Sequence, residues 1–416
     1  MNRRVVITGC GAVSPVGSTV ERFWENLKNG RCGIDFIKKF DTTDLKVKIA
    51  GEVHDFEPLD YIKKNEIRKT DLFTQYGIGA AVQAMEDSGV QAYVDPTRLG
   101  VYMGSGIGGI HTFIDECHKM DTKGPGRISP FFIPMMISNI AAGTIAIRYN
   151  AQGPCLPIVT ACATGTHSIG EAFRSIKHGY ADAIIAGGTE ASISPLTVAG
   201  FTNLTALTTV NDPTRASIPF DKNRSGFVMG EGAGALVLED LESALNRGAK
   251  IYGEVVGYGN TCDAYHITAP HPDAIGGTRA ISLAMAEAVS SGIKFEQSQI
   301  YVNAHGTSTP LNDKSETIAI KNALGEHLNR TLVSSTKSMT GHMLGAAGAI
   351  EAIASVMALR DGIIPPTIGY QEADPDCDLD YVPNEKRDVQ SDIALSISLG
   401  FGGHNGCLAF VRYAGE

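Results

Sequence analysis

Short apolar segments alternate with longer helical patterns along almost all of the chain, and this alternation restricts its possible folds more than any other feature. Patterns typical of strands cover residues 4–8, 99–103, 183–186, 235–239, 299–303, 331–334, 393–398 and 407–412. Patterns typical of helices cover residues 19–28, 73–87, 138–149, 168–176, 277–291 and 348–360. Because strands that alternate with helices usually form stacked layers, the sequence predicts an α/β fold.

A faint internal repeat predicts that the fold is built from two similar halves. The segments that resemble each other are 99–106 and 300–307, 230–239 and 402–411, and the helix after Cys162 and residues 342–360. We place the halves at residues 1–250 and 251–416, and we expect them to pack as one body because no polar linker separates them. Chance similarity between glycine-rich segments is the alternative explanation. Residues 104–136 interrupt the alternation, which predicts a cap over the core or a subunit contact.

The composition supports a large folded core and excludes several classes of protein. Of the 416 residues, 43% are hydrophobic and 19% are charged, so general disorder is not expected. The net charge of -10 and the pI of about 5.6 are the opposite of those of a typical nucleic-acid binder. The 8 cysteines form no CxxC pair, which predicts reduced thiols. No apolar run approaches about 18 residues, and the start does not resemble a signal peptide. We therefore expect a cytoplasmic protein without a membrane span.

Cys162 is the first candidate for a reactive residue. It follows a short apolar run and precedes a helical pattern, with small residues on both sides. A cysteine at a strand-to-helix turn lies near the positive end of the helix dipole, which favours the reactive thiolate. The segment therefore predicts nucleophilic, covalent catalysis. A small buried hydrophobic residue is the competing interpretation, and this segment alone does not decide between them.

Two histidines that follow strand patterns in the second half form the next candidate group. His305 lies in an Asn-Ala-His-Gly-Thr segment, His342 ends a Lys-Ser-Met-Thr-Gly-His segment, and a third glycine-rich motif spans residues 400–406. Ligands of open α/β sheets bind beyond the carboxyl ends of strands, where Cys162 also falls. Zinc binding is the weaker alternative, because the chain has no close ligand pair such as HxxxH or CxxC. Imidazoles that stabilise an oxyanion are the favoured interpretation.

Lys337 and Glu351 are charged residues on either side of His342 in the sequence. Lys337 precedes His342 and would add positive charge to the site. Glu351 follows in an apolar helical pattern, where a carboxylate usually has a partner. We predict that Glu351 pairs with Lys337, and an exposed position on the solvent face of the helix is the alternative.

Two glycine patterns resemble nucleotide-binding fingerprints, but both are weak. Residues 104–109 match GxGxxG far into the chain, and Gly9-Cys10-Gly11 lacks the third glycine. Tight backbone packing is the favoured interpretation of both patterns. We therefore expect neither a bound cofactor nor a metal ion.

The chain resembles the β-ketoacyl-[acyl-carrier-protein] synthases of the condensing-enzyme, or thiolase-like, family. The residues that carry the resemblance are Cys162, His305, Lys337, His342 and Phe401. It extends from the first strand pattern through residues 221–227 to residues 400–405, and it is greatest for the elongation type called synthase II. It implies a five-layer α-β-α-β-α fold made of two duplicated halves, and a homodimer.

The resemblance also implies a ping-pong elongation of fatty acids by two carbons. Cys162 would take an acyl group from acyl carrier protein as a thioester, and malonyl-carrier protein would then lose carbon dioxide and attack it. Backbone N–H groups of Cys162 and Phe401 would form the oxyanion hole. His305 and His342 would stabilise the enolate, with Lys337 held by Glu351 nearby.

The resemblance implies the substrate contacts as well. Ile107 would line the acyl pocket, and Phe401 would be a gate that moves when the acyl chain enters. Thr307 and Thr309 would bind the phosphopantetheine arm, which arrives on the carrier protein and is not a resident cofactor.

A basic cluster is the predicted dock for the acidic carrier protein. It consists of Lys63, Lys64, Arg68 and Lys69, with Arg127 nearby in the interrupting segment. A local positive patch on an acidic enzyme would steer an acidic partner. A solvated helix face is the alternative interpretation.

Three other functions fit parts of the pattern. A thiolase would need a second catalytic cysteine, but the glycine-rich motif at 400–406 contains none. A polyketide ketosynthase shares the chemistry and differs only in substrate. A non-catalytic subunit of the chain-length-factor type would lack the nucleophile, and the intact Cys162 argues against it.

Overall fold

The computed structural model describes residues 3–413 and 415. Its strands are β1 (Val5–Val13), β2 (Asp35–Phe36), β3 (Ile49–Ala50), β4 (Leu99–Gly104), β5 (Ala183–Glu190), β6 (Gly232–Asp240), β7 (Gly253–Cys262), β8 (Ile300–Asn303), β9 (Thr331–Ser334), β10 (Ile363–Ile364), β11 (Arg387–Asp388), β12 (Ile393–Gly400) and β13 (His404–Val411). Its α-helices are α1 (Val20–Lys28), α2 (Lys64–Ile67), α3 (Leu72–Ser88), α4 (Ile110–Lys123), α5 (Phe132–Met136), α6 (Ile140–Tyr149), α7 (Thr164–Lys177), α8 (Pro195–Asn203), α9 (Leu241–Asn246), α10 (Ile275–Ser290), α11 (Pro310–Leu324), α12 (Lys337–Thr340) and α13 (Ala347–Asp361). Each predicted strand and helix is present, with ends that differ by a few residues.

The order and direction of the strands are the same in the two halves. Hydrogen bonds connect the large sheet in the order β4-β5-β6-β1-β7-β13-β12-β8-β9. In the first half β1 is antiparallel to β6, β6 is antiparallel to β5, and β5 is parallel to β4. In the second half β7, β13, β12 and β8 repeat this pattern. A parallel bridge from Val101 to Cys155 corresponds to the pairing of β8 with β9. The faint repeat in the sequence is therefore a real duplication.

Three apolar cores separate the layers of this fold. The central core contains α7 and α13, and it receives side chains from both halves, such as Leu236 of β6 and Phe410 of β13. The residues adjacent to Leu236 and Phe410 in those strands face the opposite side of the sheet, as expected for strands buried on both faces. Val237 packs with α3 and α6, and Ala409 packs with α10 and α11. The predicted α-β-α-β-α arrangement is confirmed. The two sheets expected from the duplication join into one, because β1 pairs with β7.

The central strands β1 and β7 carry paired glycines where a helix crosses them. A Cβ atom at Gly9 or Gly11 would lie 2.1 or 1.9 Å from a backbone oxygen of α3. A Cβ atom at Gly257 or Gly259 would lie 2.1 or 1.8 Å from a backbone oxygen of α10. The Gly9-Cys10-Gly11 pattern thus allows helix packing, and the same feature in the second half explains why the glycine-rich β7 was missed in the sequence.

The segment that interrupts the alternation is ordered and contains α4 and α5. Several of its large apolar side chains are exposed, namely Phe113, Met120, Phe131 and Ile133. Within the described residues, no helix is long and apolar enough to cross a membrane.

Candidate active site

The segments singled out in the sequence converge on one cavity of about 590 Å³. Its lining includes Cys162, His305, His342 and Phe401, together with the predicted contact residues Ile107, Thr307 and Thr309. The hydroxyl groups of the two threonines lie 3.0 Å apart. The cavity draws its walls from both halves, because Cys162 precedes α7 whereas the histidines follow β8 and β9.

Cys162 lies in a short 3-10 turn, Ala161–Ala163, that leads directly into α7. The preceding residue, Ala161, has a positive φ of 50°, which costs a non-glycine residue energy and is common at functional turns. The side chain is only 8% exposed. Burial raises the pKa of the Cys162 thiol to about 12, and the Lys337 charge and the N–H of Phe401 oppose this shift. Burial therefore opposes the stabilisation of the thiolate that the helix start predicts, because desolvation disfavours the charged form.

Two backbone N–H groups lie close to the sulfur, those of Phe401 and of Cys162 itself. The end of β12 reaches the Cys162 turn because Gly400 has no side chain. A Cβ atom there would lie 3.2 Å from the nitrogen of Ala163 and 3.3 Å from that of Cys162. The predicted donors of an oxyanion hole are thus adjacent in space, although they are far apart in the sequence.

His305 and His342 lie edge to face, with ring centroids 5.2 Å apart and planes at 88°. Among the described residues, neither Nδ1 atom has a hydrogen-bond partner, and the Nε2 atom of His342 has none either. Burial, followed by the charge of Lys337, holds the pKa of each imidazole well below its usual range. A neutral imidazole carries one N–H donor. Buried polar atoms without partners are unusual, and here they indicate groups that a ligand would satisfy.

Backbone contacts hold both histidines in place. The N–H groups of His305 and Gly306 donate to the Glu316 carboxylate at 2.6 and 2.7 Å. His342 donates its N–H to the Val228 carbonyl at 2.7 Å and accepts from the Gly230 N–H at 2.8 Å. Glu316 was not among the predicted site residues. The sequence shows two carboxylates one turn apart, Asp313 and Glu316, and in the structure both are fully buried on α11.

Lys337 and Glu351 form the predicted ion pair, and both side chains are almost fully buried. Burial raises the pKa of Glu351 to about 7, and the Lys337 charge opposes this shift. Neither residue lines the cavity, and the lysine charge adds to the effect of burial in lowering the pKa of both imidazoles.

The GxGxxG segment is not a phosphate cradle in this structure. The N–H groups of Gly106 and Ile107 donate to the buried Glu190 carboxylate at 2.9 and 3.2 Å. These donors are therefore not free to bind phosphate. Glu190, the last residue of β5, was also missed, although a carboxylate at the end of a largely apolar strand is a readable signal.

A polar loop after β7 was overlooked as well. Asp263 donates its N–H to the carbonyl of Gly403 at 2.9 Å, and its carboxylate accepts from Asn405 at 2.8 Å. The N–H of Gly402 donates to the carbonyl of Ile267 at 2.8 Å. This loop therefore holds the segment after Phe401 in its present position.

The predicted docking residues lie outside the cavity lining. All five side chains of the cluster are exposed, namely those of Lys63, Lys64, Arg68, Lys69 and Arg127. The ammonium group of Lys69 lies 5.2 Å from the ring centre of Phe131, which connects α2 and its flanks to the interrupting segment. The cluster is thus a surface patch, separate from the residues that line the cavity.

Two family models match the chain. The N-terminal domain of beta-ketoacyl synthases matches residues 2–244, and their C-terminal domain matches residues 252–371. The chain belongs to the β-ketoacyl synthase family. The 3-oxoacyl-[acyl-carrier-protein] synthase 2 of Synechocystis sp. is 53% identical over 413 residues, which cover 99% of this synthase and 98% of that protein. The protein of the same name from Staphylococcus aureus (strain COL) is 52% identical over 413 residues, 99% of each chain.

Solved structures of ketosynthases share the fold along the whole chain. The ishigamide ketosynthase/chain length factor superposes with a TM-score of 0.91 at 37% identity and covers 100% of both chains. A type II polyketide acyl-carrier protein in complex with its ketosynthase, bound to the hexaketide, gives a TM-score of 0.90 at 34% identity. That match covers 99% of this chain and 100% of that one.

Proposed function

We propose that this synthase elongates fatty acids by two carbons through decarboxylative condensation with malonyl-[acyl-carrier-protein]. The observation that carries the proposal is the meeting, in one cavity, of the buried Cys162 thiol and two neutral imidazoles with unpartnered nitrogens. The reaction needs a thiol that accepts an acyl group and donors that stabilise an enolate. The two proteins named 3-oxoacyl-[acyl-carrier-protein] synthase 2 are 52–53% identical to this chain, whereas the ishigamide ketosynthase/chain length factor is 37% and the type II polyketide ketosynthase 34% identical.

In the first half-reaction Cys162 attacks the carbonyl carbon of the acyl thioester and loses its proton. The N–H groups of Cys162 and Phe401 stabilise the negative oxygen of the tetrahedral intermediate. The carrier-protein thiol leaves with a proton, and the acyl group remains on the sulfur. The charge of Lys337 favours the thiolate that burial disfavours.

In the second half-reaction the malonyl group loses carbon dioxide, and its electron pair forms an enolate. His305 and His342 donate hydrogen bonds to the thioester oxygen as this charge develops. The carbanion attacks the acyl-Cys162 carbonyl, the carbon–sulfur bond breaks, and the free thiolate takes up a proton from solvent. Thr307 and Thr309, at the cavity wall, bind the phosphopantetheine arm that brings both substrates.

Mass spectrometry tests this proposal directly. We expect incubation with acyl-carrier protein to add one acyl mass to the peptide that contains Cys162. Malonyl-carrier protein should then discharge the adduct and yield a product two carbons longer. Failure of Cys162 to acquire an acyl group would overturn the proposal and support a non-catalytic, chain-length-factor-like role. A series of acyl chain lengths separates a fatty-acid synthase from a polyketide enzyme.

The basic cluster of Lys63, Lys64, Arg68, Lys69 and Arg127 is the proposed dock for the carrier protein. The ketosynthase complex among the structural neighbours is one in which an acyl-carrier protein is bound. We expect charge reversal by Lys64→Glu and Arg68→Glu to raise the KM for carrier-protein substrates about tenfold or more, with kcat preserved. The matched control is Lys314→Glu, which reverses the charge of an exposed lysine on α11. An unchanged KM and salt dependence would contradict the dock.

We also propose that the enzyme is a cytoplasmic homodimer. The exposed apolar side chains of α4 and α5 are the surface that a second copy would cover. Light scattering should give twice the chain mass of 44.1 kDa. A monomeric mass would contradict the dimer and leave the proposed chemistry untouched.

A further inference from the structure

Glu190 is a fully buried carboxylate on the cavity wall to which the proposed reaction gives no role. It ends β5, a fully buried strand that lies between β4 and β6 in the large sheet. Its Oε1 atom accepts hydrogen bonds from the Ser105 hydroxyl (3.0 Å), the Ile107 N–H (3.2 Å) and the Ser192 hydroxyl (3.0 Å), and its Oε2 atom accepts from the N–H groups of Gly106 (2.9 Å) and Gly345 (3.0 Å).

These donors come from two different walls of the cavity. Ser105, Gly106 and Ile107 belong to the loop after β4, in the first half of the chain. Gly345 belongs to the turn that follows His342 and begins α13. A Cβ atom at Gly345 would lie 2.5 Å from the Gly106 nitrogen, so the loop and the turn touch through their backbones. The Glu190 carboxylate is therefore the only side chain in the described residues that bonds to both of them at this contact.

We propose that Glu190 is a positioning residue that holds Ile107 against the acyl pocket and so limits the length of the acyl chain that Cys162 accepts. This inference rests on the proposed function, because it requires an acyl chain in the cavity. Ile107 lines the cavity, and in this proposal a long chain pushes the Ile107 backbone away from its present position. Its N–H is bonded to a carboxylate, and hydrogen bonds to charged groups are stronger than neutral ones. Displacement of the Ile107 backbone therefore requires this bond to break or stretch.

Glu190→Gln tests the positioning role with little change in shape. An amide nitrogen in place of Oε1 cannot accept from the Ile107 N–H, whereas the hydroxyls of Ser105 and Ser192 can reverse and accept from it. The amide oxygen in place of Oε2 keeps the bonds from Gly106 and Gly345. We expect kcat/KM for acylation by fourteen-carbon acyl-carrier protein, relative to six-carbon, to rise roughly tenfold, the equivalent of one such hydrogen bond. Acylation by the six-carbon substrate should change less than about twofold.

Glu239→Gln is the matched control, because Glu239 is a fully buried carboxylate on the adjacent strand β6 that bonds to Arg247 and Ser243. The ratio of fourteen-carbon to six-carbon kcat/KM in this control should equal that of the wild-type enzyme. Ser105→Ala removes one hydrogen bond to Glu190. It should raise the ratio of fourteen-carbon to six-carbon kcat/KM by less than Glu190→Gln does. This variant keeps the test valid if Glu190→Gln does not fold.

A ratio that stays at the wild-type value in both Glu190→Gln and Ser105→Ala overturns the inference. An equal loss for both chain lengths also overturns it, because that result indicates only structural damage. These outcomes differ from failure of the proposed function, which is the absence of any acyl adduct on Cys162 in the wild-type enzyme.

Discussion

The turn before α7 and the turn before α13 occupy equivalent places in the two halves of the fold. Both are short 3-10 segments, Ala161–Ala163 and Leu344–Ala346, that lead directly into a central helix. The first residue of each has a positive φ, 50° at Ala161 and 46° at Leu344. Cys162 and Gly345 are therefore equivalent residues on the same backbone shape.

The two turns use that shape differently. Cys162 presents a thiol to the cavity, whereas Gly345 packs against Gly106 and donates its N–H to Glu190. The second half supplies the two imidazoles and the buried lysine instead of a nucleophile. Duplication thus supplied two similar backbone turns. The site is asymmetric because each half carries different side chains on its turn. Four substitutions test this division.

Removal of the nucleophile has the largest expected effect. We expect Cys162→Ala to lower the condensation rate by about a thousandfold or more, because no acyl-enzyme can form. Malonyl-carrier protein should still release carbon dioxide, since the donors of the second half remain. Product analysis and carbon dioxide release measure the two steps separately. Complete loss of both would show that the first turn also belongs to the carbanion site, and the division would fail.

Removal of an imidazole should affect the other half-reaction. We expect His342→Ala to slow decarboxylation by about a hundredfold to a thousandfold, because one donor to the enolate is lost. Acylation of Cys162 should remain within a few-fold of the wild-type rate. The control is His178→Ala, which removes an exposed imidazole directly after α7. A His342 variant that decarboxylates normally but cannot be acylated would reverse the assignment of the halves.

The buried ion pair of the second half has a role in stability that the first turn lacks. We expect Lys337→Met to lower the free energy of unfolding by about 3–5 kcal/mol, because it leaves the Glu351 carboxylate unpaired. The double variant Lys337→Met/Glu351→Gln should recover most of this loss in urea unfolding. A single variant as stable as the wild type would contradict the importance of the pair.

The same variant predicts a pH dependence. Burial raises the pKa of Glu351 to about 7 even beside Lys337, so loss of the lysine raises it further. A carboxyl whose pKa is higher in the folded state than in the unfolded state destabilises the fold as pH rises towards the folded value. The stability deficit of Lys337→Met should therefore be larger at pH 8 than at pH 6. A deficit independent of pH would exclude Glu351 as its cause.

A side chain at the position equivalent to Cys162 should be tolerated poorly in the second half. We expect Gly345→Ala to lower the free energy of unfolding by about 1–3 kcal/mol, because its Cβ would contact the Gly106 backbone and Glu190. Gly143→Ala on α6, where nothing lies within 4 Å of the added carbon, should be neutral or stabilising. Equal stability of the two variants would show that the second turn has room for a side chain and is not limited by packing.

Patterns in the sequence were enough to predict the α/β class, many of the strands and helices, the duplication, and the reactive residues that line the cavity. These features are local or periodic: strands and helices leave repeating apolar patterns, and reactive side chains stand out at the ends of strands. The missed strand β7 shows the limit of that reasoning, because its glycines are required by α10, which lies later in the chain.

The contacts between these residues and their exposure to water depend on the tertiary structure. It placed Cys162, the histidines of the other half and the Phe401 N–H around one cavity, and it brought Glu190 and Glu316 to the backbone donors of two loops. It also buried the Cys162 sulfur, which raises the pKa of the thiol and opposes the effect expected from its place before a helix. Contacts between distant segments and exclusion of water have no periodic signature in a chain, and they arise only when the two halves pack together.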